Sequence, residues 1–218
     1  MALKLKGISG ETGNSLFMVL LSAFKLLTYF FTSQLDIVIG SPISQRNRED
    51  FENMISDFSN MLLYRTLLNE NDSLYDVMAK VKKTALGAYE NKDVPSQAMF
   101  DALKPDVDPA YSSLFQMMFV FHQIFPNEQE QFLEGLNTSY LNVERKSSQF
   151  DISLFMFDDE QAGLYGKFEY NPELYSRETI LKFIHHFKVV LRIMVEMPHL
   201  KVCELSSRIS SMNQMNSI

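Results

Sequence analysis

Leu16-Phe17-Met18-Val19-Leu20-Leu21-Ser22-Ala23-Phe24-Lys25-Leu26-Leu27-Thr28-Tyr29-Phe30-Phe31 decides how the rest of this chain is read. The run is apolar almost all round, as either a membrane span or a fully buried helix would be. It falls short of the ~20 apolar residues a bilayer crossing needs, and it carries Lys25 at its middle, where a bilayer makes a charge costly. It is therefore read as a buried helix of a folded domain, and no membrane partner is expected. Ahead of it, Met1 to Gly10 contains lysines but no apolar run ending in a small-residue cleavage site, so no secretory signal is read there.

The composition suits that reading. With 218 residues, 46% of them hydrophobic, the chain can build one sizeable core, or a domain that packs against a second one. Twenty basic against 27 acidic residues leave a net charge of -7 without any Lys/Arg cluster, so nucleic acid is not an expected partner. The lone cysteine, Cys203, cannot form an internal disulfide and has no second cysteine near it for a metal site. A reducing cytoplasm is the expected location, and Cys203 is read as a small apolar side chain.

Outward from the buried helix, helical and strand patterns alternate with neither repeats nor low-complexity linkers, which predicts an α/β fold, a mixed sheet flanked by helices, over residues 1–218. Asp36 to Gly40 reads as a strand stopped by a Gly40-Ser41-Pro42 turn, followed by a polar segment from Gln45 to Glu52. Met61 to Leu67 reads as a second strand. Asn71-Asp72-Ser73 offers caps to a helix whose Leu74, Val77, Met78, Val81 and Ala85 follow the helical period. Pro95 opens a shorter helix through Leu103, and a Pro- and Asp-rich loop leads to an apolar strand at Leu114 to His122. Phe150, Ile152, Leu154 and Met156 alternate, as do Leu164, Gly166, Phe168 and Tyr170, which predicts a hairpin about an Asp158-Asp159-Glu160 turn. Ile180, Phe183, Ile184, Phe187, Leu191 and Met194 form a last helical stripe.

These segments, in this order, resemble the C-terminal lobe of a nonribosomal-peptide-synthetase condensation domain, a member of the chloramphenicol-acetyltransferase-like acyltransferases, over about Gly13 to Leu205. Ser15 to Leu21 resembles the helix that opens the second lobe. Asp36-Ile37-Val38-Ile39-Gly40-Ser41-Pro42 with Arg46 resembles the strand and the turn ending in a Gly-Arg pair, with Gln45 in the glycine's place. Ile55-Ser56-Asp57-Phe58-Ser59-Asn60-Met61-Leu62-Leu63-Tyr64-Arg65 is similar to Ile-Gly-x-Phe-Val-Asn-Thr-Leu-x-x-Arg, and Asn91-Lys92-Asp93-Val94-Pro95 to His-Gln-Asp-x-Pro. Asp108 with Leu114, Phe115 and Gln116 is similar to Arg-Asp-x-Ser-Arg-x-Pro-Leu-Phe, although Val107, Tyr111 and Ser113 replace its arginines and proline. Phe150 to Leu154, Phe168 to Asn171 and His186-Phe187 continue the order.

The resemblance implies a single lobe whose N-terminal counterpart is outside this chain. In the family, the His-His-x-x-x-Asp-Gly motif sits on the first lobe, and its second histidine acts on the amine that attacks a carrier-bound thioester. No such motif occurs here: after His185-His186, the aspartate's position holds Val190, and the pair lies in an amphipathic helix. His122 and His199 lack ligand spacing, Cys203 has no activating neighbour, and no nucleophile elbow or phosphate loop occurs. Asp57, Asp93, Asp108 and Asp151 are read as turn caps and surface charge rather than an acid-base pair.

The resemblance carries three residues to the lobe interface or substrate channel: Arg46, Asn60 and Asp108. Arg46 is expected to lack a partner in its own chain, as a docking arginine or a plain surface one. Asn60 and Asp108 are open to channel or structural roles. No catalytic residue, metal or directly bound cofactor is expected; phosphopantetheine would arrive on a carrier protein. The expected partners are an N-terminal condensation lobe or a carrier protein, with self-association through an uncovered apolar face. Function is then either amide formation that needs the other lobe, or a non-catalytic interaction module.

Overall fold

Ser15 starts the buried helix by accepting the Met18 N–H on its hydroxyl, at 3.3 Å. That helix, α2 (Leu16–Thr32), buries every residue from Val19 to Tyr29. The computed structural model describes residues 1–46, 49–103, 114–124 and 147–215. Before α2 comes α1 (Ala2–Thr12), bent away from it by 104° at Gly13, whose φ of 62° suits glycine. No single described helix is long and apolar enough to cross a membrane, although this bent pair passes jointly on length and composition.

After α2 follow β1 (Asp36–Ser44), α3 (Glu49–Glu52), β2 (Ser59–Leu67), α4 (Leu74–Glu90), α5 (Ser96–Leu103), β3 (Met117–Ile124), β4 (Ile152–Asp159), β5 (Gly163–Tyr170) and α6 (Arg177–Glu196). A 3-10 turn (Val202–Glu204) and α7 (Leu205–Met215) close the described chain. The strands form one mixed sheet in the order β2-β1-β3-β4-β5, parallel at β1/β3 and β3/β4 and antiparallel at both flanks. Helices α4, α2 and α6 lie against β2, β1 and β5 respectively, and α1 packs on α2 and α6. Alternation decides the faces. Ile37, Ile39, Leu62, Tyr64, Phe119, Ile152, Leu154 and Met156 join the helices in one core.

Most sequence expectations hold. Ser73 closes a capping box with Asp76, and the five predicted residues of α4 are buried. The hairpin pairs β4 and β5 from Ile152↔Tyr170 to Asp159↔Gly163.

Some do not. Gly40-Ser41-Pro42 is not a turn, for β1 runs through it to Ser44. Gln45 N–H bonds to Phe58 O, so alternation turns the nitrogen of Pro42 away from β2, where its missing donor breaks no β1–β2 bond. Gly40 is needed for space: a Cβ there would lie 2.1 Å from the ring of Phe115, which is stacked on Phe150. Likewise Asp158 and Asp159 belong to β4 rather than to the hairpin turn, which ends at Gly163 with φ 79°. Cys203 is exposed, because the 3-10 turn aims Val202 inward instead. Helices α1 and α7 carry too weak an amphipathic pattern to have been read. The Pro- and Asp-rich loop falls outside the described residues.

Lys25 is fully buried, yet among the described residues no carboxylate pairs with it. Its Nζ donates to Ile37 O at 3.0 Å and Tyr64 O at 2.6 Å, carbonyls of the two strands above it. A neutral amine has two N–H donors, which match two acceptors; the third donor of an ammonium would be stranded. Burial accordingly pulls its pKa from 10.5 down to about 7, only partly opposed by Asp36. Tyr64, beside it, is pushed up to about 12 by burial. Above about pH 7 the unfolded chain binds a proton that the folded one does not, so stability rises with pH until the unfolded lysine titrates. Urea unfolding between about pH 7 and 9 is expected to show a gain on the order of 2 kcal/mol. Lys25→Met, of similar volume, should flatten that slope.

Candidate functional site

The three residues carried over from the family meet different fates. Asp108 lies outside the described residues. Asn60 and Arg46 fall at one corner of the sheet, where β1 ends and β2 begins.

Asn60 pairs with Ile43 across the strands. Its side chain amide donates to Lys92 O at 2.9 Å and Val94 O at 2.8 Å, while its oxygen accepts the Ser96 N–H at 3.2 Å. One residue therefore ties β2 to the turn at 91–94 and supplies an acceptor to the first turn of α5, where N–H groups have no partner within the helix. Two stretches that resemble separate family motifs are thus joined through a single side chain. Gln45 reinforces the joint by donating from Nε2 to Lys92 O at 3.0 Å. Sequence reading saw Gln45 only as the replacement for a glycine. The contact follows from the β1–β2 register, which sets Gln45 opposite Phe58, and no local sequence pattern marks it.

Arg46 contradicts its expectation, because it does have partners in its own chain. Its guanidinium donates to Phe51 O and to Met54 O, the latter at 3.0 Å, and lies over the Phe58 ring at 4.5 Å from the centroid. Phe51 stacks on Phe58 at 4.9 Å. Phe51 lies in α3 and Met54 just beyond it, and Phe51 O also accepts the Met54 N–H at 3.3 Å; a planar five-donor group can reach both carbonyls of this tight turn at once. Asp57 acts as a turn cap, accepting the Ser59 N–H at 2.8 Å and its hydroxyl at 2.6 Å, which holds its carboxyl below the usual range. Apolar Met54, Ile55, Leu86, Tyr89 and Val94 are exposed.

The final arginine of the second motif, Arg65, grips Asp36 bidentately, with Nη2 at 2.7 Å and Nε at 3.0 Å. This pair sits at the surface, so it orders the end of the β1–β2 ribbon more than it stabilises it.

The histidines are placed structurally. His186 stacks on Phe30 at 4.9 Å with Nδ1 against Lys182 O at 2.6 Å, His185 is exposed, and Val190 is buried in the core. His122 stacks on Phe157, and His199 sits edge-on to Tyr75. Asp151 is held above the usual carboxylate range by partial burial, and its backbone brackets the start of β4. Among the described residues no three His, Cys, Asp or Glu side chains converge as metal ligands.

A mixed five-stranded sheet with α2, α4 and α6 on one face and α5 against β2 on the other, holding Asn60 and Arg46 at one corner, is an α/β fold. The condensation-domain family matches residues 1–215, and the chain belongs to that family. It is 33% identical over 207 residues to gramicidin S synthase 2 of Aneurinibacillus migulanus, an alignment that covers 94% of this chain and 5% of that protein. It is 32% identical over 204 residues to tyrocidine synthase 3 of Brevibacillus parabrevis, covering 93% and 3%. The chain thus spans a small fraction of these relatives. Two solved structures share the fold. Holo-AB3403, a four-domain nonribosomal peptide synthetase bound to AMP and glycine, superposes with a TM-score of 0.84 at 20% identity, over 93% of this chain and 16% of that one. The X-domain from teicoplanin biosynthesis gives 0.81 at 19% identity, over 92% and 46%.

Asn60→Ala removes two donors and one acceptor from the corner. It is expected to destabilise the protein by about 1–2 kcal/mol in urea unfolding and to speed amide exchange at Ser96. Asn60→Asp should be no better, since it keeps the acceptor for Ser96 but sets a carboxylate against two carbonyl oxygens.

Proposed function

We propose that this chain is one side of the reaction centre of a nonribosomal-peptide-synthetase condensation domain, and that it forms no amide bond by itself. The observation that carries this reading is the contrast between family membership over residues 1–215 and the want of a His-His-x-x-x-Asp-Gly motif anywhere in the 218 residues. A match to 46% of the X-domain chain is what one lobe of a two-lobed body would produce.

In this reading the corner that holds Arg46 and Asn60, with its apolar surroundings, faces the other lobe. Exposed Met54, Ile55, Tyr89 and Val94 supply the kind of surface that inter-domain contacts cover, typically ~600–1,500 Å². The acceptor amine and the thioester, each borne on the phosphopantetheine arm of a carrier protein, would meet at the seam. The missing histidine would act there as a general base, a contribution of roughly 10²- to 10⁴-fold in rate.

A second reading, a non-catalytic module that binds a carrier or partner lobe, is favoured by Arg46. Its guanidinium engages the carbonyls of Phe51 and Met54 in its own chain.

Mixing the chain with an N-terminal condensation lobe and two loaded carrier proteins tests both. Amide product only when both lobes are present supports the first reading, and a stable complex without product supports the second. Product from the chain unaided would overturn the proposal. Without the other lobe, light scattering is expected to show self-association that rises with concentration; a strict monomer would count against an uncovered interface.

A further inference from the structure

A pocket of about 360 Å³ opens between α1, α6 and the β4–β5 hairpin, at the opposite edge of the sheet from the corner of Arg46 and Asn60. Its size falls in the range that holds small organic ligands. Leu154, Met156, Phe168 and Phe187, all part of or packed against the main core, form its floor, so it continues the core rather than dimpling the surface. Gly166 makes room for Met156 at its edge. That position faces the helices opposite Met156, and a Cβ there would lie 2.4 Å from the Met156 sulfur and 2.8 Å from Phe155 O. The Met156 side chain therefore crosses β5 at Gly166 and lines the pocket beneath α6.

The charged side chains of the lining are Lys188 and Arg192, one turn apart on α6, and Tyr165 and Met1 also border it. Neither makes an ion pair within 4 Å among the described residues, Glu196 standing one turn beyond Arg192 on α6; the carboxylate of Asp158 on β4 is held by Lys6 of α1 at 2.9 Å. Like charges one turn apart repel. An apolar chamber flanked by two cations without an ion pair among the described residues suits a molecule with a long apolar tail and a single anionic head. A polyphosphate would find too little polar lining, and a cationic amphiphile would be repelled.

We propose that this pocket binds a straight-chain acyl carboxylate, its tail against Leu154, Met156 and Phe187 and its carboxylate on Lys188 and Arg192. The site is independent of the proposed amide chemistry.

Decanoate titrated into the full chain carrying ¹³C-methyl methionine tests it. The expected result is saturable one-to-one binding below the micelle concentration, with the Met156 methyl signal shifting. Lys188→Gln with Arg192→Gln should weaken decanoate about tenfold while leaving decanol unchanged, because only the charge-assisted bonds are removed. Ile184→Trp, which fills the chamber from α6, should abolish binding of both, with its melting curve checking the fold; Leu164→Phe serves if that variant does not fold. Absence of saturable binding, an unmoved Met156 signal, equal loss of decanol in the charge variant, or binding retained in a filled variant would each overturn the proposal.

Discussion

An α-helix with no polar face must be enclosed on every side, and the enclosure of α2 is the constraint from which the rest of this lobe follows. The sheet covers it above, α4 and α6 flank it, and α1 folds back at Gly13 to pack on it. The one amine on that helix is met by carbonyls from both β1 and β2, so the buried lysine also fixes how far α2 lies along the strands. A carboxylate in the same place would have asked for two ionised groups in the core, at a greater desolvation penalty. Two carbonyls that already serve the ladder accept a neutral amine with little desolvation.

The same use of backbone oxygens recurs at the corner where β1 and β2 meet. Asn60, Gln45 and Arg46 all direct their donors to backbone carbonyls, of Lys92, Val94, Phe51 and Met54. Residues that fall on the family motifs thus hold the turns around this corner in place. The corner is a polar frame with exposed apolar side chains around it, among them Met54, Ile55, Tyr89 and Val94.

Legibility in the sequence tracked the strength of periodic signals. The stripe of α6, the capping box and buried face of α4 and the alternation of β4 and β5 were all readable, because each rests on contacts within a few residues or on a strict period. Gly40-Ser41-Pro42 misled, since local rules make it a turn. Only the neighbouring strands reveal that the proline's missing donor falls on the side away from β2 and that the glycine makes room for Phe115, far along the chain. Arg46 misled for the opposite reason: a family role directed attention to a distant partner, while its ligands were carbonyls five and eight residues on. Carbonyls carry no side-chain signature, so no residue pattern announces them.

By itself, then, the order of amino acids determined the class of fold, the buried helix, the principal elements and the family, because these depend on hydrophobic period and on motif order. Tertiary structure alone decided which donors meet which backbone oxygens, that Asn60 joins two motifs, and that a chamber remains between α1, α6 and the β4–β5 hairpin. Those outcomes depend on distances between segments remote in the chain, and such distances exist only once the helices have closed over the sheet.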